Sequence, residues 1–309
     1  MKNLRMLPLL LLLLSFMACK KDKKINPGED GNAVPEMRAI AGATLANPCA
    51  IAVSKSGKIA ITEYKNGYGL AGTTKIWNSY TDLMANKAPV QTWQNIAAEA
   101  AAFDIDENLY IVETEQTAAL KVYLKSTQNG IDTYLLSKTH QAGFNNPRGI
   151  AFDSQNRLYM ADDGNNRLIR FTDQKNSAAF VAVPGVTQSL KGISIINDKM
   201  FITSFDGNGL YKGDITPVGG LNQPLKTGMS KVVDVSTYQN LVAISSPINS
   251  TITLINSNDF KAEDNYSGKS TQIKSTGAIY GVAFVKTTDG KFGLLAAHHG
   301  QNKVIFYQP

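Results

Sequence analysis

Six groups of short apolar runs, divided by polar turns, predict an all-β fold: a six-bladed β-propeller of four-stranded blades. Three observations lead to this prediction. A well-formed meander occupies residues 145–171, its pattern recurs along the chain, and strand-like segments without a partner remain at both ends. Because a single unit of this kind cannot bury both of its faces, the repetition predicts a closed ring of units.

The N-terminal residues indicate an export signal. Lys2 and Arg5 supply a basic region, and residues 7–17 are apolar and too short for a comfortable membrane span. Residues 15–19, Ser-Phe-Met-Ala-Cys, resemble a bacterial lipobox, and the resemblance implies that Cys19 is diacylated and becomes the new N-terminus. The alternatives are an ordinary signal peptide cut nearby and an uncleaved anchor.

The chain is predicted to have three parts: a lipoprotein signal peptide at 1–18, a tether at 19–35 and the propeller at 36–309. The tether is charged and rich in turn-forming residues, so it is expected to be disordered. A cysteine followed by a Lys/Asp run resembles lipoproteins of Bacteroidetes-type bacteria. The resemblance implies attachment to the outer membrane, on its periplasmic or surface face, with the bilayer as a partner through Cys19.

Composition limits the other partners. With Cys19 lipidated, Cys49 has no partner for a disulfide, so stability must come from packing. The formal net charge of +6 falls when Lys2 and Arg5 leave with the signal, since 29 of the 31 basic residues then face 25 acidic ones. No basic stripe with interleaved aromatics is present, so nucleic acid is not expected as a partner. We expect a monomeric propeller.

The meander at residues 145–171 is the clearest unit. Its strand signals at Ile150–Phe152, Leu158–Ala161 and Leu168–Phe171 are separated by the polar turns 153–156 and 162–166. This stretch resembles an NHL repeat, the unit of a family of β-propellers. The resemblance supports the predicted architecture and implies that the first strand of each blade lies against the central channel.

The same pattern, a small residue, an apolar triplet, a polar turn and a second apolar run, recurs with registers at residues 50, 100, 149, 192, 232 and 281. The spacings between successive registers lie within the range that is typical of one supersecondary unit per repeat. A third strand follows in every unit, and more polar fourth strands are predicted at 133–136, 179–183 and 271–274. The last unit has no fourth strand, so residues 36–40 are expected to complete it beside Val304–Tyr307 and remove an exposed edge.

Two rings of side chains are predicted to converge on one face. The first ring lies just before each register: Cys49, Glu99, Arg148, Lys191, Lys231 and Tyr280. The second ring follows the start of each second strand: Glu63, Glu113, Asp162, Ser204, Ser245 and His298. Four carboxylates on one side and three cations on the other suit a zwitterionic, anionic or peptide-like ligand. The competing interpretation is that Asp162 ties its own turn, that Arg148 pairs with a neighbouring acid and that Cys49 is a small packed residue.

The predicted function is binding of a peptide, protein or small anionic ligand through this charged mouth. The alternative is a lyase or hydrolase that uses Tyr280, Arg148 and His298, with a divalent metal held by His140 or His298 together with Glu63 or Glu113. No metal-ligand spacing is visible, so no cofactor is expected.

Overall fold

The computed structural model describes residues 33–64, 71–114, 118–177, 179–183, 189–207, 209–215, 225–226, 229, 231–259 and 270–309. The predicted signal peptide, Cys19 and most of the tether lie outside these ranges. Within them, no helix is both long and apolar enough to cross a membrane.

In the described residues the strands form six antiparallel sheets of four strands each, which are the predicted blades. The first strand, β1 (Arg38–Thr44), precedes blade one, which has strands β2 (Pro48–Val53), β3 (Ile59–Tyr64), β4 (Ala71–Trp77) and β5 (Gln91–Ile96), with helix α1 (Tyr80–Met84) before the last. Blade two has strands β6 (Ala98–Phe103), β7 (Leu109–Glu113), β8 (Ala119–Gln128) and β9 (Ile131–His140). Blade three has strands β10 (Pro147–Phe152), β11 (Leu158–Asp162), β12 (Arg167–Phe171) and β13 (Phe180–Val183), with a 3-10 turn at Asp163–Asn165.

The remaining blades follow the same order. Blade four has strands β14 (Leu190–Ile196), β15 (Lys199–Ser204), β16 (Gly209–Asp214) and β17 (Leu225–Lys226). Blade five has strands β18 (Asp234–Tyr238), β19 (Leu241–Ser246), β20 (Thr251–Asn256) and β21 (Ser270–Lys274), with a 3-10 turn at Ser257–Asp259. Blade six has strands β22 (Ile279–Lys286), β23 (Phe292–His298) and β24 (Lys303–Gln308), and its fourth strand is β1.

The N-terminal strand closes the ring, as predicted. Strand β1 runs antiparallel to β24 from the pair Arg38–Gln308 to the pair Thr44–Lys303. It begins and ends a few residues later than the predicted segment 36–40. The C-terminal edge of the propeller is therefore covered by a strand from the other end of the described chain.

Apolar seams between neighbouring blades hold the ring together. Between blades two and three, for example, Val112 packs in one buried cluster with Ile150 and Met160. Burial of one such side chain stabilises the fold by about 1.5–3 kcal/mol. Each blade thus contributes both faces of its sheet to the core.

The innermost strands approach so closely that the register positions must be small. A Cβ added to Gly149 would lie 2.8 Å from Gly192 Cα and closer still to Lys191 O. One added to Gly192 would lie 2.7 Å from Asp234 Cα. Contacts this short require the backbone to move, so glycine is needed at both places.

Blade five corrects the predicted register. In blades one to four a residue with positive φ stands two places before the first-ring residue: Asn47, Ala97, Asn146 and Ser189. Lys231 has this conformation in blade five, with φ of 57°, and its amide donates to Phe205 O. Lys231 is therefore the turn residue, Val233 takes the first-ring position, and the register residue is Asp234 rather than Val232.

Candidate functional site

A central cavity of about 700 Å³ runs along the innermost strands of all six blades. Its volume lies within the usual range for small-molecule sites, about 300–1,000 Å³. First-ring residues that line it are Cys49, Glu99, Arg148, Lys191 and Tyr280, with Val233 in blade five. The first ring is thus assembled at five of its six predicted positions.

Lys231 is the exception, and its predicted place in the ring is wrong. Its ammonium group pairs with Asp206 and lies 4.5 Å from the centre of the Phe205 ring. The pair is exposed on the same face as the mouth. Lys231 does not line the channel, because it occupies the turn position two residues before the first-ring position.

Glu99 is the centre of a buried polar cluster at the mouth. Arg148 Nη1 lies 2.6 Å from Glu99 Oε1, and the Tyr64 hydroxyl donates to the same oxygen. The Cys49 thiol donates to Glu99 Oε2 over 3.7 Å. These contacts join blades one, two and three, and they use the carboxylate within the protein.

The two channel cations are both neutralised. Besides Glu99, Arg148 has Asp163 near it, with Nε 3.9 Å from Asp163 Oδ2. Lys191 Nζ forms an ion pair with the same carboxylate oxygen. The competing interpretation of Arg148, that it pairs with a neighbouring acid, is therefore what the structure shows.

The hydroxyl and thiol groups at the mouth stay protonated at neutral pH. Burial, followed by the Glu99 charge, raises the pKa of the Cys49 thiol well above its usual range. Burial also raises the pKa of Tyr280, with further contributions from the Cys49 and Glu99 charges. Neither group is activated as a nucleophile or a base in this environment.

The predicted second ring does not line the cavity. Glu63 is 2% exposed, accepts from Ala46 N at 2.8 Å and pairs with Lys75 at 2.6 Å. Glu113 pairs with Lys121 of its own blade at 2.6 Å. Asp162 is likewise buried within blade three. The prediction that these acids take part in the mouth is wrong, because each carboxylate makes its contacts inside its own blade.

Both candidate metal-binding histidines are also buried away from the cavity. His298 Nδ1 lies 2.9 Å from Ser275 Oγ and its Nε2 lies 3.0 Å from Tyr307 Oη, while burial lowers its pKa to about 4. His140 Nε2 lies 2.9 Å from the carbonyl oxygen of Gln174. Across the part of the chain that the structure describes, no group of three or more His, Cys, Asp or Glu side chains is arranged to hold a metal ion.

Asp234 is a cavity residue that the sequence analysis missed. At the register position the other blades have only alanine or glycine: Ala50, Ala100, Gly149, Gly192 and Gly281. Asp234 Oδ2 accepts from Val282 N at 2.8 Å, across the seam to blade six. Burial raises the pKa of Asp234 to about 7, although the amides of Val282 and Val235 oppose this shift. A corrected register for blade five would have placed this acid in the channel.

The NHL-repeat family model matches residues 144–171, which include strands β10 to β12. The third blade is an NHL repeat. Within the NHL repeat, Asp162 accepts from Asn145 N at 2.8 Å and from Arg167 Nε at 2.7 Å, and Asn165 Nδ2 lies 2.8 Å from it. This acid ties the ends of its own turn, as the competing interpretation proposed.

Solved structures resemble the NHL-containing propeller in fold. Virginiamycin B lyase from Staphylococcus aureus matches with a TM-score of 0.54 and 14% identity, over 89% of this chain and 100% of that one. The PQQ-bound aldose sugar dehydrogenase from Streptomyces coelicolor matches with a TM-score of 0.59 and 12% identity, over 89% and 99%.

A nidogen/laminin complex also matches, with a TM-score of 0.54 and 11% identity, over 76% of this chain and 84% of that one. A comparison with curated proteins gave no significant match. At these identities the likenesses show the propeller fold, which hosts unrelated functions.

Proposed function

We propose that the chain is a binding module that holds a small organic molecule in its central channel. The observation that carries the proposal is the cavity of about 700 Å³, with polar groups of several blades fixed around its mouth. Concave sites of this size with a few positioned polar groups are typical of small-ligand binding. A folded protein partner would need a broader surface than this cavity offers.

Recognition of an anionic ligand at the mouth would require cations without partners in the protein. In the structure Arg148 and Lys191 are balanced by Glu99 and Asp163, and Lys231 is balanced by Asp206. An anion would have to compete with these carboxylates. The pairs instead give the mouth a fixed shape before any ligand arrives, which lowers the cost of ordering on binding.

The enzyme alternative loses the imidazole predicted for it, although the ring of His299 lies 4.9 Å from that of Tyr280. His298 is fully buried and both of its ring nitrogens are occupied by Ser275 and Tyr307. Tyr280 and Arg148 reach the cavity, but no histidine among the three predicted catalytic residues accompanies them. The binding role therefore has the stronger support.

A screen of small metabolites against the purified full chain tests the binding role. Val233→Trp narrows the mouth, because Val233 lines the cavity in blade five. Val181→Trp is the matched control, since Val181 is exposed on an outer strand of blade three. We expect ligands that raise the melting temperature of the wild type and of Val181→Trp but not of Val233→Trp. Ligands that stabilise all three equally would refute binding in the channel.

We also propose that Cys19 carries the lipid that holds the module at the outer membrane, on its periplasmic or surface face. The support is the lipobox-like stretch at residues 15–19. Cells grown with a palmitate analogue should label the wild type and Cys49→Ser, and should not label Cys19→Ser. Label that persists in Cys19→Ser would contradict the anchor.

A further inference from the structure

Charge in the cavity is unevenly matched. Among the described residues four charged side chains line it: Glu99, Arg148, Lys191 and Asp234. Arg148 pairs with Glu99, and Lys191 pairs with Asp163. Asp234 forms no ion pair within the described ranges of the chain. Ionisation of Asp234 thus leaves the channel with one negative charge that the protein does not balance.

Asp234 also has a side chain where the neighbouring blades have none: its Oδ2 accepts from Val282 N, and its Oδ1 lies 2.7 Å from the place of a Cβ added to Gly192. The equivalent positions in the blades on either side are Gly192 and Gly281, which have no side chains. Two backbone amides, those of Val282 and Val235, bond to the Asp234 carboxylate. A carboxylate has about four acceptor sites, so roughly two remain for a donor inside the cavity.

The groups around Asp234 do not supply that donor as a cation. On neighbouring β14, Lys191 is committed to Asp163, and on β15 Lys199 lies 3.7 Å from Asp214. On β22 Tyr280 lines the same cavity, and the Cys49 thiol of blade one is close enough for Asp234 to raise its pKa. A partly buried carboxylate without a cation is destabilised in its ionised form.

We propose that Asp234 receives the ammonium group of the channel ligand, so that the occupant is a small organic amine. The inference rests on the proposed binding function and narrows its ligand class. An ammonium offers up to three N–H donors and the missing positive charge in one group. Its organic part would lie against the apolar lining, which includes Val233 and Phe205.

Three probes of matched size test the ligand class: benzylamine, benzyl alcohol and benzoate. Binding to the full chain is measured by ligand-observed NMR, and Val233→Trp identifies the signal that comes from the channel. We expect channel binding of benzylamine, weakened about tenfold or more in Asp234→Asn. Asp106→Asn, an exposed acid that does not line the cavity, should bind benzylamine like the wild type.

The pH dependence separates recognition from a merely structural role of Asp234 at the seam. Benzylamine binding favours the ionised carboxylate, so its affinity should rise between pH 6 and pH 8 in the wild type and stay flat in Asp234→Asn. A seam role would change stability without selecting among the three probes.

Two outcomes would overturn the inference in different ways. Channel binding of benzyl alcohol or benzoate that equals or exceeds that of benzylamine, and is unchanged in Asp234→Asn, would refute the amine while leaving a ligand-binding channel. Absence of any probe signal sensitive to Val233→Trp would count against both the amine and the channel.

Discussion

Arg148 reaches Glu99 across the seam between blades two and three, and the same carboxylate accepts from Tyr64 and Cys49. Such a cluster fixes the side chains at the mouth, because loss of one partner leaves a buried polar or charged group unsatisfied. The sequence placed Arg148 and Glu99 in the same ring but could not show that they bind each other. Side-chain pairing across blades depends on distances that only the closed ring creates.

Among single residues, His298 predicts how stability responds to acid. An unfolded histidine has a pKa of about 6.5, whereas burial lowers the pKa of folded His298 to about 4. The unfolded chain therefore binds a proton first, and stability falls as the pH drops from about 6.5 to about 4. Urea unfolding of the full chain should show a loss of up to about 3 kcal/mol from this group.

The matched variant is His298→Gln, which removes the titration and keeps a polar side chain near Ser275 and Tyr307. Its stability should depend less on pH than that of the wild type over the same range. Equal pH dependence in the two proteins would show that His298 is not the responsible group.

At the scale of the blade, the apolar patterns determine the number of blades but not the register of every blade. The alternation of apolar and polar residues located all six blades, and the third strand predicted for every blade is present. In blade five the predicted register was two residues early. A shift of two residues preserves which side chains face each side of a sheet, so the pattern could not detect it. The backbone turn at Lys231 and the close approach of Gly192 to Asp234 distinguish the two registers.

The prediction of the second ring was wrong because its acids pair within their own sheets. Glu63 pairs in the ladder with Thr73, and its ion-pair partner Lys75 lies two residues further along β4. Glu113 and Lys121 have the same diagonal relation across β7 and β8. Diagonal neighbours of this kind are within reach of long side chains. Antiparallel pairing of the second and third strands places Lys75 diagonal to Glu63, and Lys121 diagonal to Glu113. The sequence therefore contains the information that these acids are balanced inside their blades.

At the level of strand packing, Gly149→Ala should loosen the contact between the innermost strands of blades three and four. Its Cβ would lie 2.8 Å from Gly192 Cα, so the free energy of unfolding should fall by about 1–3 kcal/mol. Gly42→Ala in β1 is the control, because its Cβ would lie at an ordinary 3.6 Å from Val304 O. Denaturant unfolding measures both, and equal stability of the two variants would contradict the tight seam.

For the whole molecule, closure by β1 determines whether the ring has a free edge. Ala43, which is 2% exposed and packs with blade-six residues such as Ala297 and Val304, anchors this strand. Ala43→Asp should bury a charge there and destabilise the closed ring by about 2–5 kcal/mol. The released edge of β24 would then be open to pairing with another chain.

Size-exclusion chromatography at several concentrations checks this outcome. Ala43→Asp should form concentration-dependent oligomers, whereas Ala39→Asp, an exposed position on the same strand, should elute like the wild type. A monomeric and fully stable Ala43→Asp would show that β1 is dispensable for closure.

The pairing of β1 with β24 also orients the molecule. Thr44 pairs with Lys303 close to His298, at the end of the blades where the channel opens, whereas Arg38 pairs with Gln308 at the opposite end. The polypeptide that leads back from Arg38 towards Cys19 therefore departs from the face opposite the mouth. If Cys19 carries lipid as proposed, the tether joins the propeller at the end away from the channel entrance, so the junction itself does not obstruct a ligand.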